Sequence, residues 1–320
     1  MLDPNNTPWT KETLLSKAKI YAEEMHKFTS EDWQFGLYSS LSLEFLSRAA
    51  LAAISPILLA DQQNWRNLLY AIGHDVNSKK FTPNSIGIKE CLSRINELNS
   101  EFNSEVAGFC AQHIERRNAE LHTGESAFIS LDTSSWLPKF YNACSILIKS
   151  LGQTLNDLMP DATKAQAMIE SLKDEAAKAV DQEIKAYLRV WQGKTEDERS
   201  LLREQAALWA TRQLGHRVKC PACESAALIK GEPHGQVSTE IDDSEVFQRQ
   251  LMLPFAFECT ACQIKITGYS KLASCGLGNT YTEKTVLSAA EYFELYTEDD
   301  LEMAKRDERS KYEYEPDNNE

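Results

Sequence analysis

Residues Arg117, Asn118 and His122, in the order Arg-Asn-x-x-x-His, are the ones in this chain best suited to chemistry on a phosphodiester. A guanidinium is a permanent cation with a planar fork of donors that matches a phosphate, and an imidazole exchanges protons near neutral pH. Held together, they can stabilise charge growing on a phosphate and move the proton that bond cleavage requires, with no metal in the step. Asn118 and His122 are four residues apart, so on a helix they share a face, and the amide can orient the imidazole or the phosphate. The competing reading is an exposed helix end carrying ordinary polar residues. Glu115, Glu120 and Glu125 surround the motif and weaken its positive field, which Arg116 partly offsets. His113, four residues before Arg117, either joins such a site or packs as an ordinary surface or core histidine.

A second constellation is made of thiols. Cys220-Pro-Ala-Cys223 and Cys259-Thr-Ala-Cys262 are two Cys-x-x-Cys pairs separated by 35 residues. Each pair turns two thiolates toward one ion, and two pairs complete a tetrahedral site, for which zinc is the default metal. With all four positions filled by protein, the expectation is one closed, structural Zn2+ per chain in a zinc ribbon. His216, His234 and Cys275 lie nearby as bystanders. Cys91, Cys110 and Cys144 sit in apolar, helical surroundings and read as buried core thiols.

The elements that must position these groups are mostly helices. Apolar residues recur at helical spacing over residues 10–28 (Thr10 as N-cap), 30–55 (stopped by Pro56), 62–72, 86–98 and 104–121. A further helix, capped by Ser134 or Ser135, ends at Pro160. Gly124 reads as the residue that terminates the motif helix. Residues 77–84 are a polar loop. Residues 162–191, rich in Ala, Lys, Glu and Gln, and a helix opened by a Thr195/Glu198 capping box form a connector, either a spacer or a dimerisation hairpin. Strand alternation follows at 225–230, 236–241 and 247–267, then a charged tail whose end, 313–320, reads as disordered. The expected class is mainly α: a helical bundle (1–160), a helical connector (161–215), a small β zinc ribbon (216–290) and an acidic tail (291–320).

The 320 residues carry a net charge of −14, which argues against a general nucleic-acid coat. Residues 291–320 hold twelve acids and four bases, a balance of −8, leaving −6 for the rest, so a local RNA site is allowed. No apolar run reaches the roughly 18 residues that span a bilayer. Met1 to Asn6 lacks the basic and apolar regions of a signal peptide, and a cytoplasmic protein is expected. Paired Cys-x-x-Cys in that compartment points to metal rather than disulfides.

The 9–160 half resembles the HEPN superfamily, small helical bundles whose third long helix ends in Arg-x(4–6)-His, often with Asn, Asp or His directly after the Arg. Arg117, Asn118 and His122 match that pattern. The resemblance implies a metal-independent endoribonuclease that acts as a homodimer through the bundle, two motif helices meeting in one composite cleft. His122 would abstract the 2′-OH proton or protonate the leaving 5′-oxygen, and Arg117 would hold the phosphate. Members often carry an acidic residue in the second long helix. Glu44 or Asp32 fills that role here, and Glu44, between Leu43 and Phe45, can pair with Arg117. Many members are toxins or anti-phage effectors that cleave tRNA or other RNA, and others are inactive partners. The expectation is an endoribonuclease in defence or stress, with an antitoxin or defence-system partner. The alternative is a non-catalytic adaptor whose zinc ribbon binds a partner protein or nucleic acid.

Overall fold

The computed structural model describes residues 8–76, 80–129, 131–242, 245–296 and 298–313. Eight helices come first: α1 (Lys11–Met25), α2 (Trp33–Ile54), α3 (Arg66–Ala71), α4 (Ile88–Leu98), α5 (Ser104–His122), α6 (Thr133–Ser150), α7 (Ala162–Gln192) and α8 (Glu196–Arg212). They are followed by β1 (His216–Lys219), β2 (Ala226–Asp242), β3 (Glu245–Glu258), β4 (Lys265–Thr267), α9 (Tyr269–Ser274), β5 (Tyr281–Ser288), α10 (Ala289–Tyr292) and α11 (Glu298–Glu313). The protein is therefore mainly helical with a small antiparallel sheet. Among the described residues no helix is long and apolar enough to cross a membrane.

Contacts divide the chain into two compact units. The first holds residues 1–231 and 254–279, and the second 232–253 and 280–320. The boundaries at 160, 215 and 290 mark changes of sequence character.

In the first unit α1 and α2 pack along most of their length. Small residues make this approach possible: Ala18, Ala22, Ala49 and Ala50 are buried, as are Ser39, Ser42 and Ser47. Each buried hydroxyl finds a carbonyl: Ser42 Oγ donates across the interface to Ala18 O at 2.9 Å, and Ser47 Oγ donates to Leu43 O at 2.8 Å. A hydroxyl satisfied by backbone carries little burial penalty, so serine serves there as a small core residue. Leu43, Leu46, Leu51, Phe102, Phe140, Tyr141 and Leu147 complete the core, and Cys91, Cys110 and Cys144 lie buried in it as expected. The first turns of α7 belong to the same core through Ala162, Ala165 and Ile169, so this part of the connector is packed against the bundle.

That junction is held by a polar triad. His26 Nδ1–H donates to Ala22 O at 2.7 Å, His26 Nε2–H donates to Asp161 Oδ1 at 2.7 Å, and Tyr141 Oη–H donates to Asp161 Oδ2 at 2.6 Å. Both imidazole nitrogens face acceptors, which only the imidazolium satisfies. Burial by itself would lower the His26 pKa, but the Asp161 carboxylate and the Ala22 carbonyl outweigh it and hold the group above its ordinary 6.5. Burial likewise opposes the Asp161 carboxylate, and the His26 and Tyr141 hydrogen bonds carry it below 3.8. A raised histidine stabilises the fold below its ordinary pKa and loses that contribution as pH rises through the raised value. A depressed carboxylate stabilises above its ordinary pKa and loses it as pH falls through the lowered value. The triad is thus intact between about pH 4 and 6.5. Thermal stability is expected to fall as the pH rises from 6 to 8, and His26→Gln should flatten that slope. An unchanged slope in His26→Gln would contradict the assignment.

Several expectations need correction. The helix read as ending at Pro160 stops at Ser150, because Gly152 turns the chain at φ +72°, and Asp132 rather than Ser134 or Ser135 caps its start. The segment 62–72 is helical only over Arg66–Ala71. The run 247–267 is two strands, broken where Cys259–Gln263 turns between β3 and β4. In the tail, α11 forms because Glu298, Asp299 and Asp300 occupy its positive end and good helix formers follow. Residues 77–79, in the polar loop, and 314–320, the end of the tail, lie outside the described residues.

In the first unit β1 pairs antiparallel with β2 (His216 opposite Ile229, Lys219 opposite Ala226), and β3 pairs with β4 (Ala256 opposite Thr267, Glu258 opposite Lys265). Each hairpin carries one Cys-x-x-Cys pair at its turn. In the second unit β3 pairs with β5 from Glu245–Ser288 to Met252–Tyr281. Lys284 Nζ sits 4.2 Å from the centre of the Phe247 ring.

Candidate functional site

Helix α5 is started by Asn103, whose side chain accepts from the Glu105 and Val106 N–H groups at 3.1 Å. Its far end is closed by Thr123, not Gly124. The Thr123 hydroxyl donates to Ala119 O at 2.7 Å and accepts from Glu125 N at 3.0 Å, and Gly124 does not take a positive φ. A side-chain cap satisfies the orphan carbonyls that a left-handed glycine would otherwise take.

Two polar bolts fix α5 against α2. The first is His113, fully buried, whose Nε2 lies 2.8 Å from Ser39 Oγ. The Ser39 hydroxyl already donates to Gly36 O at 2.7 Å, so His113 Nε2–H must donate to it, and Nδ1 is left bare with no partner. Burial, with Arg116 adding to it, pushes the His113 pKa down to about 3, so the ring stays neutral. Phe109, Phe128, Trp136 and Phe140 pack around it. His113 is therefore a core residue, closed off from any substrate. Phe128 also anchors the loop after the motif: it lies against Gly36, where a Cβ would meet its ring at 2.3 Å.

The second bolt is ionic. Arg117 Nη2 is bonded to Glu44 Oε2, and Arg48 Nε donates to Glu44 Oε1 at 3.2 Å. The three side chains are only 13–16% exposed. Arg48 is itself fixed by Ile86 O at 3.2 Å and Ser85 Oγ at 3.3 Å. Two guanidiniums around one carboxylate leave one net positive charge, and Arg117 Nε has no hydrogen-bond partner. Asp32 instead accepts from Thr29 N and Oγ1 at the start of α2.

His122 lies exposed in the last turn of α5, and Asn118 is half-buried; among the described residues no hydrogen bond joins their side chains. His122 lies five positions after Arg117, about 140° around a helix. A single chain therefore aims Arg117 toward α2 and leaves His122 in solvent. Of the surrounding acids, Glu115 is paired with Lys89 at 3.4 Å.

The four cysteines do come together. Cys220, Cys223, Cys259 and Cys262 are all buried, with their Sγ atoms within 4.8 Å of one another. Cys220 lies 3.6 Å from Cys262, and Cys223 lies 3.6 Å from Cys259. A tetrahedron with metal–sulfur bonds of about 2.3 Å has edges of about 3.8 Å, so the cluster has the size for a zinc ion. The hydrogen bond between neighbouring thiols pushes the Cys220 pKa up and pulls the Cys223 pKa down. Four thiolates at this spacing need a cation. Neither His216 nor His234 belongs to the cluster, and Cys275 Sγ instead donates to Leu272 O.

The two turns share one backbone design that the cysteine spacing did not disclose. The residue after each second cysteine is left-handed, Glu224 at φ +59° and Gln263 at φ +67°. Cys220 N donates to Ser225 O at 2.9 Å, and Cys259 N donates to Ile264 O at 3.0 Å. A left-handed non-glycine residue costs about 1–2 kcal/mol, against about 0.4–1 kcal/mol for the extra unfolded-chain entropy of glycine. Gln263→Gly is expected to raise stability by about 0.5–1 kcal/mol in denaturant unfolding; a loss would show that the Gln263 side chain contributes contacts.

No known family, no curated protein and no solved structure matches the chain.

Proposed function

We propose that the chain is a metal-independent endoribonuclease of the HEPN type, acting on RNA as a homodimer, with a structural zinc in a ribbon formed by the four cysteines. The observation that carries this reading is the pairing of a fixed, net-positive Glu44–Arg117–Arg48 group with an exposed imidazole on the same helix.

The physics supports a composite site. His122 and Arg117 of one chain point apart, so a second copy of α5 meeting the first supplies the complementary pair. One His122 takes the proton of the ribose 2′-OH as that oxygen attacks phosphorus. The other His122 protonates the 5′-oxygen as the P–O bond breaks, leaving a 2′,3′-cyclic phosphate and a free 5′-OH. Arg117, preset by Glu44 and 16% exposed, stabilises the charge on the phosphoryl oxygens through the guanidinium N–H groups that Glu44 leaves free. Asn118 sits where it can orient either group. DNA lacks the attacking 2′-OH and is not a substrate by this route. Zinc, when bound, contributes folding free energy and no chemistry at phosphorus, since all its ligands are cysteines.

Toxin or anti-phage activity, with tRNA among the substrates and a partner that masks the cleft, is the biological role we assign. The test is incubation of total RNA and tRNA with purified protein in excess chelator, beside a zinc-replete control, with end-group analysis of the fragments. Fragments ending in 2′,3′-cyclic phosphate support the proposal; absence of cleavage in both conditions contradicts it. The adaptor reading is favoured by one observation: Val237, Ile241 and Val286, on strands of the second unit, are 47–59% exposed.

A further inference from the structure

The two Cys-x-x-Cys turns share a backbone design but not their side chains. Ser225 and Ile264 hold matching places, each two residues after the second cysteine of its pair. Each carbonyl accepts the N–H of the first cysteine in its own turn, at 2.9 and 3.0 Å. Both residues are buried, Ser225 to 4% exposure and Ile264 fully. An aliphatic chain at that place is ordinary core. A serine there is not: its hydroxyl lies 3.2 Å from Cys223 Sγ and, among the described residues, has no other hydrogen-bond partner.

Burying a hydroxyl costs free energy unless it is bonded, so the serine has to be matched to the sulfur beside it. A metal-bound thiolate has no proton to give, whereas a hydroxyl can donate or accept. With an ion on the four cysteines, Ser225 Oγ–H therefore donates to Cys223 Sγ. Hydrogen bonds to an ionised acceptor are about twice as strong as neutral ones. Other sulfurs of the cluster draw on the backbone instead: Ala222 N donates to Cys220 Sγ at 3.4 Å, and the Ile264 backbone bonds the Cys262 sulfur. Four thiolates around one divalent cation leave an excess of negative charge in a buried cluster, and such donors disperse it.

We propose that Ser225 is a working part of the metal site: its hydroxyl orients the Cys223 thiolate and disperses its charge, so the chain's hold on zinc depends on a side chain outside the four ligands. The inference rests on the zinc reading of the cysteines and not on the nuclease reading. Thr260 supplies the contrast. It follows Cys259 in the second turn, and its buried hydroxyl has no hydrogen-bond partner among the described residues. The same ribbon thus holds one hydroxyl spent on a sulfur and one that is not.

The experiment compares full-length parent, Ser225→Ala and Thr260→Val, each variant losing one hydroxyl. Zinc affinity is read by competition with a chromophoric chelator. Ser225→Ala is expected to bind zinc about 10–100-fold more weakly, the range for losing a group that supports a metal ligand, and Thr260→Val to stay within about twofold of the parent. Cobalt(II) in place of zinc gives a readout that packing alone does not move. Losing a hydrogen bond makes a thiolate a better electron donor, so the sulfur-to-cobalt charge-transfer band of Ser225→Ala should shift to longer wavelength, while the tetrahedral d–d bands persist. The proposal is overturned by a Ser225→Ala affinity within about twofold of the parent, by an unmoved charge-transfer band, or by an equal loss in Thr260→Val. A parent chain that binds neither metal overturns the zinc reading as well, which separates the two failures.

Discussion

Replacing His122 by alanine is expected to lower RNA cleavage by about 10²–10⁴-fold, the range for losing a positioned general acid or base. It should do so with almost no change in stability. The His122 side chain is exposed and forms no hydrogen bond with another described residue, so its removal belongs with surface substitutions, within about 0.5 kcal/mol. Arg117→Ala should reduce cleavage comparably, by about 10²–10³-fold for one lost phosphate donor, but with a structural cost. Glu44 would keep Arg48 and lose its second partner in a site only 13% exposed, so a drop of about 1–3 kcal/mol is expected. The two variants therefore have distinct signatures: both inactive, only one destabilised. Cleavage of tRNA in chelator, followed beside thermal unfolding of the same samples, reads both. Undiminished cleavage by His122→Ala would remove the histidine from the mechanism and the proposal with it.

The second large effect concerns the four cysteines. Cys220→Ser or Cys259→Ser is expected to abolish retention of zinc, measured as one ion per chain by elemental analysis of the parent protein. Zinc binding by small Cys- and His-ligated units is worth about 10–16 kcal/mol at neutral pH, far more than a domain's usual margin. Without the ion the two hairpins are held by short ladders of three or four residue pairs and four buried thiols that repel if ionised. The helical core built on Leu43, Phe140 and Leu147 uses none of these cysteines. Chelation is therefore expected to lower the first thermal transition by more than about 10 °C while leaving most of the helical signal in place. A chain that binds no zinc, or a serine variant that binds it as well as the parent, would refute the assignment.

Most helices were legible because their signal is local. Thr10, Asn103 and Thr195 sit where their side chains accept from the next backbone N–H groups, and the apolar spacing between such caps and the following breakers outlines α1, α5, α7 and α8. The boundaries that misled were decided by single backbone conformations. Gly124, a good terminator by type, was bypassed because the Thr123 hydroxyl had already closed the helix. Glu224 and Gln263 adopt left-handed φ that their residue types do not announce, because the Cys-x-x-Cys turn demands it of whichever residue follows the second cysteine.

By itself, the sequence determined the four cysteines as one cluster, the helical character of the first two hundred residues and the order of charges along α5. These follow from spacing along one element, where the period of the backbone translates position into direction. Tertiary structure alone decided the use of each polar side chain. His113 and His122 lie nine residues apart on one helix, yet one is sealed in aromatic rings and the other is in solvent. Glu44 and Arg117 meet across 73 residues of chain, and His26 meets Asp161 across 135. Burial and pairing depend on what the opposite helix presents at contact, and packing of α2 and α7 against their neighbours supplies that information.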